Sequence, residues 1–346
     1  MTGTTTVFRS GKRALYVAIA GGLAVAAMAC SAGGAPSQPT QPPAAAGAAA
    51  QPAAGQATTP RMKVAVITHA APGDTFWDIV RKGADAAAAK DNIDVVYSSD
   101  PEAAKQSTLV QNAIDTKVNG IAITLSKPDA LASAVKNANT AKIPVVAFNS
   151  GLDAWQQTGA MMYFGQDENL AGQTAGQRLS QDSAKHVLCV VQEQGHVALE
   201  ARCAGVKQGL SGGQTENLYV TGTNMPSVRS TMAAKLQADT SIDSVITLGA
   251  PFALTAVQSV KDASSKAKVY TFDTNAELVN AVKSGDVQWA IDQQPYLQGY
   301  LAIDSLWLYL TNANIIGGGK TVLTGPSFVT KENIEAIAQY ATRGTR

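Results

Sequence analysis

Most signatures of catalysis are missing from this chain. No G-x-G-x-x-G occurs, so dinucleotide binding loses its main mark, and no G-x-S-x-G or H-E-x-x-H places a nucleophile or a zinc pair. Histidine and cysteine are scarce, three of each in 346 residues, with no Cys-Cys-His metal spacing among them. Nothing here implies a cofactor or a metal. Charge of one sign is also missing: the net charge is +1 and no Lys/Arg cluster stands out after residue 60. Nucleic acid and anionic membrane surfaces therefore have no electrostatic purchase, and a small neutral partner fits better. The apolar run Ala14 to Ala29 spans sixteen residues, short of the roughly 20 that cross a bilayer.

What is present begins with that run. Arg9, Lys12 and Arg13 precede it and Cys30 follows it, the pattern of a secretory signal. Ala27-Met28-Ala29 fits ordinary signal cleavage, while Ala29-Cys30 fits a bacterial lipoprotein junction. Cys30 is thus either a lipid attachment point or an incidental small residue, and both cuts fall at the same bond. Ser31 to Pro60 is low in charge, rich in Pro and Gly and without apolar period, as a flexible tether is. We expect residues 1–29 to be a signal peptide, residues 30–60 a lipid-anchored linker, and the remainder to work outside the cytoplasm. In an oxidising compartment the remaining Cys189 and Cys203 are expected to pair, the alternative being two buried thiols. Closing a loop of about 15 residues would stabilise by about 3 kcal/mol.

From residue 61 onward about 286 residues remain, enough for two lobes. Ten short β-branched runs, from Lys63–Thr68 to Gln288–Asp292, alternate with ten helical stretches. That rhythm predicts parallel sheets covered by helices on both faces, an α/β fold. Ser227 and Thr330 read as helix N-caps. Asn149 to Ala160 breaks the rhythm as a long loop, and we expect the first lobe to end near Gly165 and the second to begin at Gln166.

Ligands of open parallel sheets sit beyond the carboxyl ends of strands. The candidates are therefore the residues just after each strand. The first strand is followed by His69, Asp74 and the adjacent aromatics Phe76 and Trp77, either a platform for the apolar face of a sugar or polyol ring or two core residues. Asn149 and Ser150 follow the fourth strand. Gln192 and Glu193 follow the sixth, with Glu200 and Arg202 on the next helix; Arg202 offers a rigid fork of donors, or else pairs with Glu200 or Glu193. Asp273 follows the ninth strand and Gln293 the tenth. His186 falls within a strand and reads as structural. Carboxylate, amide, guanidinium and aromatic together suit a neutral polyhydroxyl ligand, whereas no nucleophile is fixed and an enzyme is not expected.

At this point the chain resembles the sugar-binding proteins of bacterial ABC importers, of the ribose/galactose type with the periplasmic-binding protein-like I fold. The resemblance runs over nearly all of residues 61–340. It rests on Gly73-Asp-Thr-Phe-Trp77, Ile143-Pro-Val-Val-Ala-Phe-Asn149, Gly165-Gln-Asp-Glu-Asn-Leu-Ala-Gly172, Glu200-Ala-Arg-Cys-Ala-Gly205, Tyr270-Thr-Phe-Asp273 and Ala290-Ile-Asp-Gln-Gln-Pro295. The resemblance implies two similar three-layer lobes joined by three crossings near Gly165, Asp292 and Gly317 to Lys320. The first lobe would comprise 61–165 and 293–319, the second 166–292 and 320–346. It implies sugar contacts from Asp74, Phe76, Trp77, Asn149, Arg202, Asp273 and Gln293, with Asn224 contributing from the loop after the seventh strand. Ser150 stands where ribose binders carry arginine, and Gly249-Ala250-Pro251 where they carry Asn-Asp, so fewer charge-assisted bonds are expected. A monomer serving a permease and its ATPase is implied. The competing reading is a receptor that presents a sugar-like signal to a chemoreceptor or histidine kinase.

Overall fold

The computed structural model describes residues 56–71 and 73–346; the expected signal peptide, Cys30 and most of the expected linker lie outside the described residues. Among the described residues no helix is long and apolar enough to cross a membrane.

The first lobe opens with β1 (Met62–Thr68), α1 (Thr75–Asp91), β2 (Ile93–Ser99), α2 (Ala103–Asp115) and β3 (Gly120–Ile123). It continues with α3 (Pro128–Thr140), β4 (Val145–Phe148), α4 (Trp155–Thr158) and β5 (Tyr163–Gly165). The second lobe starts with α5 (Glu168–Gln181), β6 (His186–Val191), α6 (Val197–Gly209), β7 (Gln214–Tyr219) and α7 (Met225–Ala238). Then come β8 (Ser244–Thr247), α8 (Ala250–Asp262), β9 (Lys268–Phe272), α9 (Ala276–Ser284) and β10 (Trp289–Asp292). The chain returns to the first lobe as α10 (Pro295–Asn312) and β11 (Val322–Leu323), and ends in the second as β12 (Ser327–Thr330) and α11 (Ile334–Arg343).

The sheets run β11-β5-β4-β3-β1-β2 and β12-β10-β9-β8-β6-β7. Every pairing is parallel except β10 with β12. Period-two alternation explains why the strands are apolar throughout. Val64 and Val66 of β1 pack on one side of the first sheet and Ala65 and Ile67 on the other. In β6, Leu188 and Val190 face one cluster and Val187, Cys189 and Val191 the opposite one. A strand covered on both faces has no solvent side to fill with polar residues.

The expected third crossing is corrected here. Val322 and Leu323 pair with Phe164 and Gly165 of β5 in the first sheet, while Ser327 pairs with Asp292 in the second. The crossing is therefore Thr324-Gly325-Pro326 rather than Gly317 to Lys320, and the first lobe extends to residue 323. The linker boundary also moves. Ala57 N donates to Lys90 O (2.7 Å), and Trp307 Nε1 to Thr59 Oγ1 (3.0 Å), so the last residues of the expected linker are tied into the first lobe. The loop Asn149–Ala160 contains the single turn α4, too short to show a period. Asn224, not Ser227, caps α7, and α11 begins after Asn333 rather than Thr330.

Cys189 of β6 and Cys203 of α6 form the expected disulfide, both buried. It ties the strand to the helix that follows it.

Candidate functional site

The carboxyl ends of both sheets face one cleft of about 740 Å³ between the lobes. From the first lobe it is lined by His69, Asp74, Phe76, Trp77, Lys127 and Asn149. From the second it is lined by Gln192, Glu193, His196, Arg202, Leu248, Phe252, Asp273 and Thr274, with Gln293 from the second crossing.

Each position follows from local structure. Asp74 caps α1 by accepting from Phe76 N at 3.1 Å, which fixes the two aromatics in the first turn. Burial pushes its carboxyl up, partly offset by that amide. Trp77 is 6% exposed and lies in the first lobe's core, whereas Phe76 is half-buried. Their rings meet edge to face at 5.1 Å.

Asn149 and Asp273 are twins. Each follows the fourth strand of its lobe in the main-chain order, in Val145-Val-Ala-Phe148-Asn149 and Val269-Tyr-Thr-Phe272-Asp273, and each has φ of 65°. The left-handed turn ends the strand and aims the side chain into the cleft. Their surroundings differ. Asn149 Nδ2 donates to Gln293 Oε1 and Gln298 Oε1, both at 3.2 Å, and Ser150 Oγ donates to Asn149 Oδ1 at 2.8 Å. Both amide hydrogens of Asn149 are thereby used within the protein. Gln298 Nε2 also reaches Thr324 Oγ1 at 3.0 Å, so one glutamine on α10 joins the first lobe to the second and third crossings.

Gln293 Nε2 donates to Asp273 Oδ1 at 2.8 Å. Burial is the largest influence on Asp273 and lifts its carboxyl to about 7 against the opposing pull of Arg202. Arg202, 3% exposed, forms neither of the expected pairs with Glu200 or Glu193. Its Nε and Nη2 donate to the two oxygens of Glu168 at 2.6 and 3.0 Å, and Nη1 donates to Leu248 O at 3.1 Å. The guanidinium also lies over Phe272 at 5.0 Å. Of five N–H groups, two are left for the cleft, beside Asp273 Oδ2 at 3.9 Å from Nη1. Glu200 instead accepts from Gly195 N and Tyr219 Oη, and Glu193 pairs with Lys127 at 2.8 Å.

Two expected contacts change role. His69 lines the cleft, but Nδ1 engages Thr124 Oγ1 at 2.7 Å and Nε2 engages His196 Nε2 at 2.9 Å. Both ring nitrogens are occupied inside the protein. Asn224 is exposed and caps α7 by accepting from Ser227 N at 3.2 Å, so it is a helix cap beside the cleft rather than part of its lining. His186 is structural as expected, bonded to Ser241 Oγ and paired with Glu216.

Sequence reasoning passed over Glu168, Gln298, Phe252, Thr274 and His196. Thr274 Oγ1 and Gln192 Oε1 are buried without a hydrogen-bond partner among the described residues. Such atoms, with the free N–H groups of Arg202, suit a ligand that donates and accepts at every position. Phe252 lies in the first turn of α8, the helix that follows β8, and was findable by the strand-end rule.

Comparison with known proteins agrees with this arrangement. Residues 64–314 match the periplasmic binding protein domain family. A carbohydrate transporter structure from Acidothermus cellulolyticus, in complex with myo-inositol, is 58% identical, covers 83% of this chain and 100% of its own, and superposes with a TM-score of 0.82. An ABC transporter solute-binding protein from Agrobacterium vitis with bound D-fucose is 27% identical, covering 81% of this chain and 99% of its own, with a TM-score of 0.74. The xylose/arabinose-binding protein of Sulfolobus acidocaldarius is 24% identical over 68% of this chain, which spans 63% of that relative's length, just under two thirds. With two lobes, three crossings and a shared cleft, and with a family match over most of its length, the chain belongs to the periplasmic binding protein family.

Proposed function

We propose that this chain is the extracytoplasmic solute-binding component of an ABC importer, and that its ligand is a neutral cyclic polyol of the inositol type. The carrying observation is the cleft's inventory: the Asp273 carboxylate lifted toward neutrality, one guanidinium already matched by Glu168, unpaired buried hydroxyl and amide atoms, and an aromatic platform. A ring with a hydroxyl on each carbon can donate and accept around its rim, and its C–H face can lie against Phe76. An anionic ligand would bring charge that the cleft does not balance. The 58% identity with a protein that holds myo-inositol supports the same choice.

Phe76, backed by the buried Trp77, would supply the platform, Arg202 and Asp273 the polar contacts, and Asn149 and Gln293 would hold them in place. Thermal-shift and calorimetric titration with myo-inositol, pentoses and hexoses test this reading, since a ligand that binds only the folded state raises the midpoint. Myo-inositol should give the largest shift. Phe76→Ala should weaken it by about 10-fold or more with little loss of stability, while Trp77→Ala also loses about 3–5 kcal/mol of stability as a buried core residue. Absence of a shift with every sugar and polyol would sink the proposal.

We further propose that Cys30 carries a lipid and that residues 31–56 form the tether to the membrane. The support is the sequence pattern at the signal junction. Retention of Cys30→Ala in the membrane fraction would refute it.

A further inference from the structure

The lobes are bridged at one place by two imidazoles. His69 follows β1 of the first lobe, His196 caps α6 of the second, and their Nε2 atoms lie 2.9 Å apart. Beside them Val197 N donates to Ser126 O at 3.1 Å, and Lys127 pairs with Glu193. Both imidazoles are buried, 7% and 4% exposed.

The bonding pattern allows one proton arrangement. Ala198 N donates to His196 Nδ1 at 3.2 Å, so that nitrogen carries no hydrogen. A neutral His196 must then carry its hydrogen on Nε2 and donate it to His69 Nε2. His69 Nε2 accepts, so His69 is protonated on Nδ1 and donates to Thr124 Oγ1. A further proton has no place to go. On His69 it would set two N–H groups against each other across the lobes; on His196 it would face the Ala198 amide.

We infer that His69 and His196 form a latch between the lobes that holds only while both rings are uncharged, so that closure on a ligand expels protons and acid releases the ligand. The charged groups around the pair act in the same sense. Lys127 at the start of α3 and Arg202 on α6 both disfavour an imidazolium, and burial is the largest influence on each ring, with His69 lowered to about 3. The acidic groups nearby are engaged elsewhere: Glu193 with Lys127, Glu168 with Arg202, Glu200 with Gly195 N and Tyr219, and Asp74 with the first turn of α1. Asp273 lies beyond Arg202. With the lobes apart and the rings in water, both would titrate near the ordinary value of about 6.5.

The inference rests on the closing cleft proposed above, and calorimetry separates the two. Myo-inositol is titrated into the wild type, His69→Asn, His196→Asn and the double variant at pH 7.5 and 5.5, in two buffers of different ionisation enthalpy. Asparagine keeps the bond to Thr124 or to Ala198 N and removes the arm that crosses the cleft. The wild type should bind about 10-fold more weakly at pH 5.5 if one ring titrates and about 100-fold if both do, releasing protons on binding. The double variant should keep only the smaller dependence owed to Asp273. Equal pH ratios and equal proton counts in the wild type and double variant overturn the latch. Absence of binding at pH 7.5 counts against the ligand reading instead. Nitrogen NMR of the histidine-labelled free protein then decides: loss of the His69 Nδ1–H tautomer by pH 5.5 supports the latch, and both neutral tautomers persisting there overturn it.

Discussion

At the scale of the residue, Asp273 makes the cleft sensitive to pH in its own right. Its carboxyl titrates near 7 in the fold and near 4 in an unfolded chain. Between those values the folded state keeps a proton that the unfolded chain releases. This group's favourable contribution is therefore full below about pH 4 and lost as pH rises through about 7. Asp273→Asn should melt with the parent at pH 4, melt above it at pH 8, and bind polyol at least about 10-fold more weakly. Any contribution from His69 is common to both proteins and cancels in the difference. A variant melting below the parent at pH 8 would contradict the burial argument. Asp273, Arg202 and the aromatics were legible because strand ends are where such folds expose chemistry. Glu168 was not, since nothing local relates it to a guanidinium 34 residues away.

Among the elements, the crossings are followed by helices that dock through glycine. α5 carries Gly172 and Gly176 against Gly205 and Gly209 of α6, and a Cβ at any of the four would run into the opposing backbone. α10 repeats the device on α1, with Gly299 against Val80 and Gly83 against Tyr296. Close backbone approach leaves no room for relaxation, so Gly205→Ala should destabilise by about 1–3 kcal/mol, read by denaturant unfolding. A loss below about 0.5 kcal/mol would show that the helices can part cheaply. The first ten strands and their helices were readable from their regular alternation. β11 and β12 were not, because they follow one another outside the strand–helix alternation, among Gly317–Gly319, Gly325 and Pro326, and the third crossing was misplaced with them.

For the whole molecule, the cross-lobe bonds are the contacts that a ligand gains help from on closing. Lys127–Glu193 is about one-third and one-quarter exposed, so its worth is about 0–1 kcal/mol. Lys127→Met should raise the ligand dissociation constant by up to about fivefold, and salt should erase much of the difference. A larger, salt-insensitive loss would mean that Lys127 touches the ligand itself.

The bond between Cys189 and Cys203 bears on the protein's biogenesis. A reduced chain lacks about 3 kcal/mol, roughly a hundredfold in its folding equilibrium. In a reducing interior the second lobe is thus easier to unravel, which suits a protein of a family that works outside the cytoplasm. Oxidation outside makes the fold harder to reverse, so the staple acts as a one-way catch on the journey out of the cell.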